Sequence, residues 1–461
     1  MASRRRVNFW GAIARLVVAV PLIATAGLGS IAAAAQPDAI DRELAQVVHT
    51  LGLRPLDPPR FVPDAKFKLG QALFFDPVLS GPRVVSCATC HLLKYGTSDG
   101  LARSIGVHKE AADGSRGHRR NALDLWNRDH SSVRALFWDG RVEALDPSRG
   151  AFRSPLGRDL PAGLDNVLAA QALFPLAMPD EMLGDPGDTS PPDLPGGHGG
   201  LANDLASPSP QPSESARITD THGRLMRRLL GGAGQPRTAW QDRYRALFRE
   251  AYPGKTRFTI VDLANAIAHF EGLAFATRES AWDRYLKGDP AALSTDARRG
   301  AVIFYGKGRC ATCHAGPLLS DFQYHAVAVF EGDPRPTVPE DLGRREATGL
   351  EADRYKFRTP PLRNVAATAP YFHDGSEPTL RGAIERHGDL KTAPGQANRP
   401  SAATLNAQRQ AVSPILLSRP PLTAGELDAL LAFLSALAFV PPARAALAPE
   451  EVPSGLPLVY K

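Results

Sequence analysis

Two copies of one pentapeptide carry the strongest chemical signal in this sequence of 461 residues. Cys-Ala-Thr-Cys-His occurs at residues 87–91 and 310–314, and the two copies contain all four cysteines. Cys-x-x-Cys-His is the attachment pattern of c-type haem, in which the thiols form thioethers and the histidine is the proximal iron ligand. Two disulfides or one zinc site are the alternatives, but neither explains the histidine after each pair. The residues predicted to hold two haem groups are Cys87, Cys90, Cys310 and Cys313 for attachment, and His91 and His314 for the irons.

The sixth ligand of each iron separates electron transfer from chemistry. An iron with two protein ligands carries electrons, whereas an iron with a vacant face binds peroxide or dioxygen. Methionine, a common sixth ligand, does not occur after Met226, so the second haem needs a histidine, a tyrosine or no ligand. His325, His373 and His387 are the histidines available, and His387 ends a predicted helical run that begins at Thr379.

The segments around both motifs are predicted to be helical. Apolar residues at helical spacing and capping residues predict these helices. The predicted helices cover 38–51, 66–75, 164–174, 223–230, 238–250, 259–275, 294–305 and a terminal stretch that begins at Thr423. A helix precedes each haem motif, so the chain contains a distant internal repeat. No alternating strand pattern of any length occurs. The sequence therefore predicts a mainly α fold with two cytochrome c-like haem domains in tandem.

Composition divides the chain further. Residues 1–35 combine three consecutive arginines at 4–6, an apolar run and small residues before Gln36-Pro37, which is typical of an export signal, with a retained membrane anchor as the alternative. Residues 184–218 are rich in Pro, Gly, Ser and Asp and predict a disordered or extended surface insertion. The predicted units are a signal peptide over 1–35, an N-terminal haem domain over 36–183, an insertion and connector over 184–235, a C-terminal haem domain over 236–440 and a tail over 441–461.

The charge balance does not indicate a nucleic-acid-binding protein. The formal net charge is +6, but residues 1–35 carry four arginines and no acidic residue, which leaves 50 basic and 48 acidic side chains. Haem propionates would bring that balance of +2 near or below zero. Haem attachment to Cys-x-x-Cys-His takes place outside the cytoplasm. We therefore expect export by the general secretory route to the periplasm, with no stable membrane insertion after signal cleavage.

These motifs resemble those of the bacterial di-haem cytochrome c peroxidase superfamily, particularly its MauG-like branch. The resemblance covers about residues 60–183 and 236–440. The matching segments are 69–76, 86–91, Ser-Ile-Gly at 104–106, Phe-Trp-Asp-Gly-Arg at 137–141, 174–182, 308–317, 357–365 and 369–375. The resemblance implies that the haem on His91 is peroxidatic and that the haem on His314 transfers electrons.

The resemblance also implies an open first iron. In family members that need reductive activation, a distal histidine directly follows Ser-Ile-Gly, and here that position is Val107. We therefore expect a five-coordinate iron that is ready without activation. The alternative is that the loop shifts and His108 binds the iron.

On the open face, the family has a glutamate, a glutamine and an intervening proline. Glu181 matches the catalytic carboxylate, Gln171 the amide and Pro175 the proline. Cleavage of peroxide needs a base that takes one proton and returns it to the departing oxygen, which is the role implied for Glu181. A solvated loop carboxylate is the alternative interpretation of Glu181.

Three further assignments follow from the resemblance. The family's sixth ligand on the second haem is a methionine or tyrosine, and His387 has that place here, so ligation by two histidines is predicted. Trp138 matches the tryptophan that relays electrons between the haems, although core packing alone would also explain it. The family holds a calcium ion between the domains, and the matching positions are Asn121, Thr368 and Pro370.

The sequence thus predicts a cytochrome c peroxidase-type oxidoreductase that reduces hydrogen peroxide to water. Its electron donor would be a small c-type cytochrome or a cupredoxin. A MauG-like oxidase that modifies residues of a partner protein is an alternative, favoured by the missing activating histidine and disfavoured by His387 in place of tyrosine. A non-enzymatic di-haem electron carrier, with both irons six-coordinate, is another.

Overall fold

The computed structural model describes most of the chain beyond the predicted signal peptide. The described residues are 38–57, 60–107, 118–146, 150–232, 234, 236–277, 279–327, 329, 340–388, 401–439 and 447–459. The predicted signal peptide over 1–35, His108 and the first part of the predicted tail lie outside these residues. Apart from Asp38, all of the described residues belong to one unit, Ala39–Lys461.

Helices dominate the regular structure, which confirms the mainly α prediction. The helices are α1 Ala39–Leu51, α2 Ala65–Phe75, α3 Cys87–Cys90, α4 Val167–Ala172, α5 Glu214–Leu230, α6 Ala239–Ala251, α7 Ile260–Ala274, α8 Ala281–Leu286, α9 Thr295–Tyr305, α10 Arg345–Thr348, α11 Leu380–Arg386, α12 Ala402–Ala411, α13 Pro414–Leu417 and α14 Ala424–Ala436. Within the described ranges, none of these helices is long and apolar enough to cross a membrane.

Two small antiparallel sheets accompany the helices. The strands are β1 Ala135–Leu136, β2 Val142–Asp146, β3 Ala151–Arg153, β4 Tyr324–His325 and β5 Phe357–Arg358. The order in the first sheet is β1-β2-β3, and β4 pairs with β5. Leu136 lies opposite Val142, so the Phe-Trp-Asp-Gly-Arg segment at 137–141 is the loop of the β1–β2 hairpin.

One packing arrangement occurs twice. α2 crosses α7, and a Cβ atom on Gly70 would lie 2.0 Å from the carbonyl oxygen of Ala266. α9 crosses α14, and a Cβ atom on Gly300 would lie 1.9 Å from the carbonyl oxygen of Ala429. Each helix that precedes a haem motif therefore has a glycine where a later helix approaches its backbone, since no other residue fits at that distance. This matches the internal repeat that the sequence predicts.

The hydrophobic core divides differently from the predicted domain boundaries. One cluster of buried side chains joins α2, α4, α5, α6, α7 and the segment 447–456, and a second joins α1, α8, α9 and α14. α6 and α7 fall within the predicted C-terminal domain over 236–440 but pack on the first cluster. α1 falls within the predicted N-terminal domain but packs on the second. Leu318, Phe322 and the segment 447–456 also belong to the first cluster, so the two clusters do not divide the chain at one point. The predicted domain boundaries stay a prediction.

The 184–218 segment has an ordered structure, whereas its composition predicts a disordered or extended surface insertion. It has little regular structure before Ser213, the N-cap of α5, but it packs on the first core cluster, and Leu205 is fully buried. Asp204 forms ion pairs with the buried side chains of Arg83 and Arg228. The amide of Asn203 donates to the carbonyl oxygen of Leu183 at 2.7 Å. Such pairings between distant residues leave no trace in local composition.

Candidate active site

α2 leads into the first haem motif at residues 87–91. The buried carboxylate of Asp76 closes the end of α2, accepting hydrogen bonds from the Tyr244 hydroxyl at 2.7 Å and the Ser454 hydroxyl at 2.6 Å. The single helical turn α3 then carries both cysteines to the wall of a cavity of about 570 Å³. That volume lies within the range of roughly 300–1,000 Å³ that is usual for ligand and cofactor sites. Both thiols are free, so the disulfide alternative fails for this motif.

His91 is oriented as a metal ligand. It lines the same cavity, and its Nδ1 lies 2.9 Å from the carbonyl oxygen of Thr97. A carbonyl oxygen only accepts, so Nδ1 carries the proton and Nε2 keeps its lone pair. Metal-binding histidines are typically held in this way. Burial lowers the pKa of His91, which favours the neutral imidazole that ligation needs.

The same cavity brings together the residues that the resemblance implies for the open face. Glu181, Gln171 and Pro175 all line it. Gln171 lies near the end of α4, whose N-cap Asn166 accepts a hydrogen bond from the backbone N–H of Ala169 at 2.9 Å. Pro175 begins a 3-10 turn, and Glu181 lies in the tight turn Pro179–Leu183.

The Ser-Ile-Gly segment is attached to the backbone of the Glu181 turn. Gly106 has φ +67°, and a Cβ atom there would lie 1.8 Å from the carbonyl oxygen of Asp180, so only glycine fits. The backbone N–H of Val107 donates to the carbonyl oxygen of Glu181 at 3.1 Å. Val107 is half-buried against the first core cluster. Because His108 lies outside the described residues, its competing ligation stays a prediction, as does the open iron.

Trp138 lies between the two candidate haem sites. It lines the first cavity and also a second cavity, described below. Its Nε1 donates to the carbonyl oxygen of Asn121 at 2.9 Å. Arg358 fixes the backbone here. Its backbone N–H donates to the Trp138 carbonyl at 2.7 Å, and its side-chain Nε donates to the Phe137 carbonyl at 3.0 Å. Phe137 has φ +65°, a conformation that bulky residues adopt only when their surroundings enforce it.

A buried ion-pair network fixes the other side of the 137–141 loop. Arg120 contacts Asp341 through Nε and Nη2, both at 2.7 Å, and contacts Asp139 through Nη1 at 2.6 Å. Burial alone would raise the pKa of Asp341, but the hydrogen bonds and charge of Arg120 outweigh it and lower that pKa. Arg120 therefore ties the hairpin loop to the segment that contains Asp341.

α9 leads into the second haem motif as α2 leads into the first. Ser294 caps α9 by accepting from the N–H of Ala297 at 3.1 Å. Arg309 then adopts φ +52° and turns the chain into the 3-10 turn Cys310–Thr312. The motif residues Cys310, Cys313 and His314 line the second cavity, of about 200 Å³, together with Trp138 and His387. Both thiols of this motif are also free.

His314 and His387 face one another across the second cavity. Their ring centroids are 6.4 Å apart. The Nδ1 atoms lie 3.1 Å from the Leu319 carbonyl oxygen and 2.7 Å from the Ala383 carbonyl oxygen, which leaves each Nε2 free to bind a metal. Burial, followed by the effect of His387, lowers the pKa of His314 to about 4, so this imidazole is neutral at pH 7.

The spacing of these two rings would allow His314 and His387 to hold one iron together. Imidazole nitrogen binds first-row metals at about 2 Å, so two rings on opposite sides of one metal have centroids a little over about 6 Å apart. The distance of 6.4 Å agrees with this value. The paired cysteines and the oriented histidines that line the two cavities fit two c-type haem groups.

The other histidines considered as ligands have different partners. His325 lines the second cavity, but its Nε2 lies 3.1 Å from Asp321, and this hydrogen bond, followed by one to Cys313, raises its pKa to about 9. His373 stacks on Phe357 with ring centroids 3.6 Å apart. Cys313, Asp321 and His325 could together hold a metal ion, but a thioether at Cys313 would remove the thiolate ligand.

The predicted calcium residues are not brought together by any described contact. The Asn121 amide donates to the Leu101 carbonyl at 2.6 Å, and its backbone N–H donates to the His373 carbonyl at 2.7 Å. Thr368 and Pro370 lie just before His373 in the chain. Calcium at Asn121, Thr368 and Pro370 therefore stays a prediction.

The structure adds Glu271, which the sequence did not single out as a site residue. Glu271 lies on α7, lines the first cavity and is almost fully buried, and its Oε2 has no hydrogen-bond partner among the described residues. Burial, followed by the charge of Asp129, raises its pKa to about 8. Its neighbour His269 instead bonds Asp64 at 3.1 Å. A glutamate among apolar residues in the C-terminal half of α7 was the available signal.

Comparison with known proteins agrees with this geometry. The profile of the di-haem cytochrome c peroxidase family matches residues 64–291, and a RoxA-like, cytochrome c-like profile matches residues 356–387. Cytochrome c551 peroxidase of Nitrosomonas europaea is 30% identical over 325 residues, which cover 70% of this chain and 73% of the relative. The chain belongs to the di-haem cytochrome c peroxidase family. Membership implies two covalently bound haem c groups.

This family includes proteins with more than one name. Methylamine utilization protein MauG of Methylorubrum extorquens is 29% identical over 324 residues, covering 70% of this chain and 68% of MauG. The di-haem peroxidase BthA of Burkholderia thailandensis has the same fold, with a TM-score of 0.55 and 24% identity over 87% of this chain and 92% of BthA. A MauG-like protein associated with microbial copper homeostasis matches with a TM-score of 0.56 and 24% identity, over 85% of this chain and 98% of that protein.

Proposed function

We propose that this di-haem peroxidase family member reduces hydrogen peroxide to water in its first cavity and receives electrons through its second. The observation that carries the proposal is the difference between the two cavities. Glu181 and Gln171 line the cavity of His91, whereas His387 faces His314 in the other. The polar groups suited to peroxide chemistry thus line the first cavity, and the proposed second iron ligand lies in the second cavity.

The reaction that balances is H2O2 with two protons and two electrons giving two molecules of water. Haem, when bound, supplies the iron that activates peroxide and stores electrons. The Glu181 carboxylate takes one proton from hydrogen peroxide and returns it to the departing oxygen, which is general acid–base catalysis. The Gln171 amide orients peroxide by hydrogen bonding. The Glu271 side chain adds no charge to the wall of this cavity, because its raised pKa keeps it protonated at neutral pH.

Electrons enter at the His314 and His387 site in this proposal and pass Trp138 to the first site. Trp138 lines both cavities, which supports that route. The donor is a small c-type cytochrome or a cupredoxin, met in the periplasm after export. We further propose two haem domains, one built around each core cluster, and a calcium ion held by Asn121, Thr368 and Pro370.

The proposal is tested by steady-state turnover of hydrogen peroxide with a reduced small c-type cytochrome. Wild type should turn over well above free haem, and Glu181→Gln should lower kcat/KM by about 10²–10⁴-fold, the usual effect of removing a general acid–base group. Glu214→Gln is the control, since this carboxylate is exposed in the first turn of α5. Equal activity of wild type, Glu181→Gln and free haem would reject the proposal.

A second candidate is oxidation of a partner protein, supported by the similarity to MauG. It shares the cavity and Glu181 but replaces the small electron donor with residues of a protein. Holoprotein and peroxide incubated with candidate exported proteins should then produce crosslinked or hydroxylated side chains, read by mass spectrometry. Turnover with reduced cytochrome and no such product favours the peroxidase.

A further inference from the structure

Two buried arginines line the cavities that Trp138 also lines, and each has an unused hydrogen-bond donor. Arg128 lines the first cavity and Arg358 the second. Their exposed fractions are 2% and 1%. Nη1 of Arg128 and Nη2 of Arg358 have no hydrogen-bond partner among the described residues. Buried polar groups are rarely left without a partner, so each atom requires an explanation.

The remaining donors of both arginines are in use. In Arg128, Nε donates to the Asp124 carbonyl oxygen at 2.8 Å and Nη2 donates to the Asp124 carboxylate at 2.6 Å. In Arg358, Nε donates to the Phe137 carbonyl at 3.0 Å and Nη1 donates to the Thr359 carbonyl at 3.2 Å. Both side chains are therefore fixed in place, and their open nitrogens point to missing partners and not to mobile side chains.

The charges are also incompletely balanced. Arg128 has the Asp124 carboxylate, but within the described ranges no carboxylate forms an ion pair with Arg358. Burial, followed by repulsion from Arg128, lowers the pKa of Arg358 to about 9. A buried charge without a counterion costs several kcal/mol, roughly, so an anion is expected near these two residues.

We propose that Arg128 and Arg358 each bind a propionate carboxylate, Arg128 from the haem of the first cavity and Arg358 from the haem of the second. Guanidinium and carboxylate form strong, charge-assisted hydrogen bonds. Since the Arg358 side chain also donates to the backbone carbonyl of Phe137, one side chain then joins the second haem to the loop between the cavities. The inference rests on haem in both cavities and not on the reaction that the haems support.

The test is the reduction potential of each haem in the holoprotein, measured by spectroelectrochemistry. Loss of a nearby positive charge stabilises ferric haem, so Arg358→Gln should lower the potential of the second haem by at least about tenfold in the equilibrium constant, about 59 mV for one electron. Arg128→Gln should lower the potential of the first haem in the same way. Each variant should change the other haem less, and Arg358→Lys should give less than half the Arg358→Gln shift because the charge remains.

Arg344→Gln is the matched control. Arg344 is also buried, but it contacts neither cavity, and its nitrogens bond the Asp139 and Gly140 carbonyls and the Glu143 carboxylate. It should move neither potential. Equal shifts of both haems in Arg358→Gln, or shifts no larger than those of Arg344→Gln, would overturn the proposal.

The test remains decisive if one variant misfolds, and it does not depend on peroxidase activity. If Arg358→Gln fails to accumulate with two haems, Arg128→Gln and Arg358→Lys still decide the outcome, the latter through a shifted propionate bending band of the second haem in the resonance Raman spectrum. An unchanged band and unchanged potentials contradict the proposal. None of these measurements uses peroxide, so failure of peroxidase activity leaves them interpretable.

Discussion

His387 lies opposite His314 in the second cavity, with ring centroids 6.4 Å apart and each Nδ1 hydrogen-bonded to a backbone carbonyl oxygen. Each ring therefore directs Nε2 away from its carbonyl partner and is available as an axial ligand. In the first cavity, His91 is held in the same way, but its companions are Glu181 and Gln171. We therefore expect peroxide chemistry at the haem on His91 and electron transfer at the haem on His314, because different residues lie opposite the two proximal histidines.

Replacing His387 with methionine should raise the reduction potential of the second haem. Ligation by methionine and histidine has a higher potential than ligation by two histidines. His387→Ala should instead convert that haem from low spin to high spin. Spectroelectrochemistry and electron paramagnetic resonance read these two results.

The control for both variants is His325→Ala. His325 lines the same cavity, but its Nε2 bonds Asp321, so this variant should keep the low-spin signal. Loss of the low-spin signal in His325→Ala and its persistence in His387→Ala would assign the sixth ligand to His325.

Trp138→Phe should slow turnover without changing the spectrum of either haem. The variant keeps a ring in the position that lines both cavities but removes the indole and its hydrogen bond to the Asn121 carbonyl. Stopped-flow mixing of the reduced protein with peroxide should show slower oxidation of the second haem, by about tenfold or more. Trp240→Phe, in a tryptophan that packs beside His198, should match wild type. Equal rates in the two variants would leave Trp138 a packing residue only.

Much of the fold could be predicted because its signals are local. α1, α2, α7, α9 and α14 follow helical periodicity and capping residues, and the structure confirms them within a few residues. α5 begins earlier than predicted because Ser213 caps it by accepting from the Ala216 N–H at 3.1 Å. The strands β1 and β3 have two and three residues, too few to produce an alternating pattern.

The partners of distant residues could not be predicted. An apolar stripe on α7 shows that the helix packs but not against which core, so its place on the first cluster came only from the structure. The haem motifs located Cys87 and Cys310 directly. The contact between Arg358 and Phe137 joins residues 221 positions apart, and no local pattern encodes it.

Arg120→Met should destabilise the protein by about 3–5 kcal/mol at pH 7, because it leaves the buried carboxylate of Asp341 without Arg120, whereas Asp139 keeps its ion pair with Arg141. The lowered pKa of Asp341 contributes stability above about pH 4, the pKa of an unfolded aspartate, and that stability is lost as the pH falls through the folded pKa. The difference between wild type and variant should therefore shrink in acid. Chemical unfolding at several pH values measures it.

The comparison for Arg120 is Arg381→Met, which removes an exposed ion pair with Asp428. Exposed pairs contribute about 1 kcal/mol or less, so this variant should stay close to wild type. Equal effects of the two substitutions would show that the Arg120 network does not stabilise the loop junction.

Glu271→Gln should remove part of the alkaline loss of stability. The pKa of Glu271 is raised to about 8, so the native state holds a proton that the unfolded state releases above about pH 4. Wild type should therefore lose stability as the pH rises from about 4 to about 8, on the order of 5 kcal/mol, and the amide variant should not. Thermal unfolding at pH 5 and pH 8 measures this, with Glu214→Gln as the exposed control. Parallel curves for wild type and Glu271→Gln would mean that Glu271 is ionised in the folded protein.

The electron paramagnetic resonance spectrum of the oxidised holoprotein distinguishes an open first iron from a closed one. We expect one high-spin ferric signal from the haem on His91, whose face towards Glu181 is open, and one low-spin signal from the haem held by His314 and His387. Two low-spin signals would contradict it, because both irons would then be six-coordinate, as in an electron carrier or in a protein whose His108 binds the first iron.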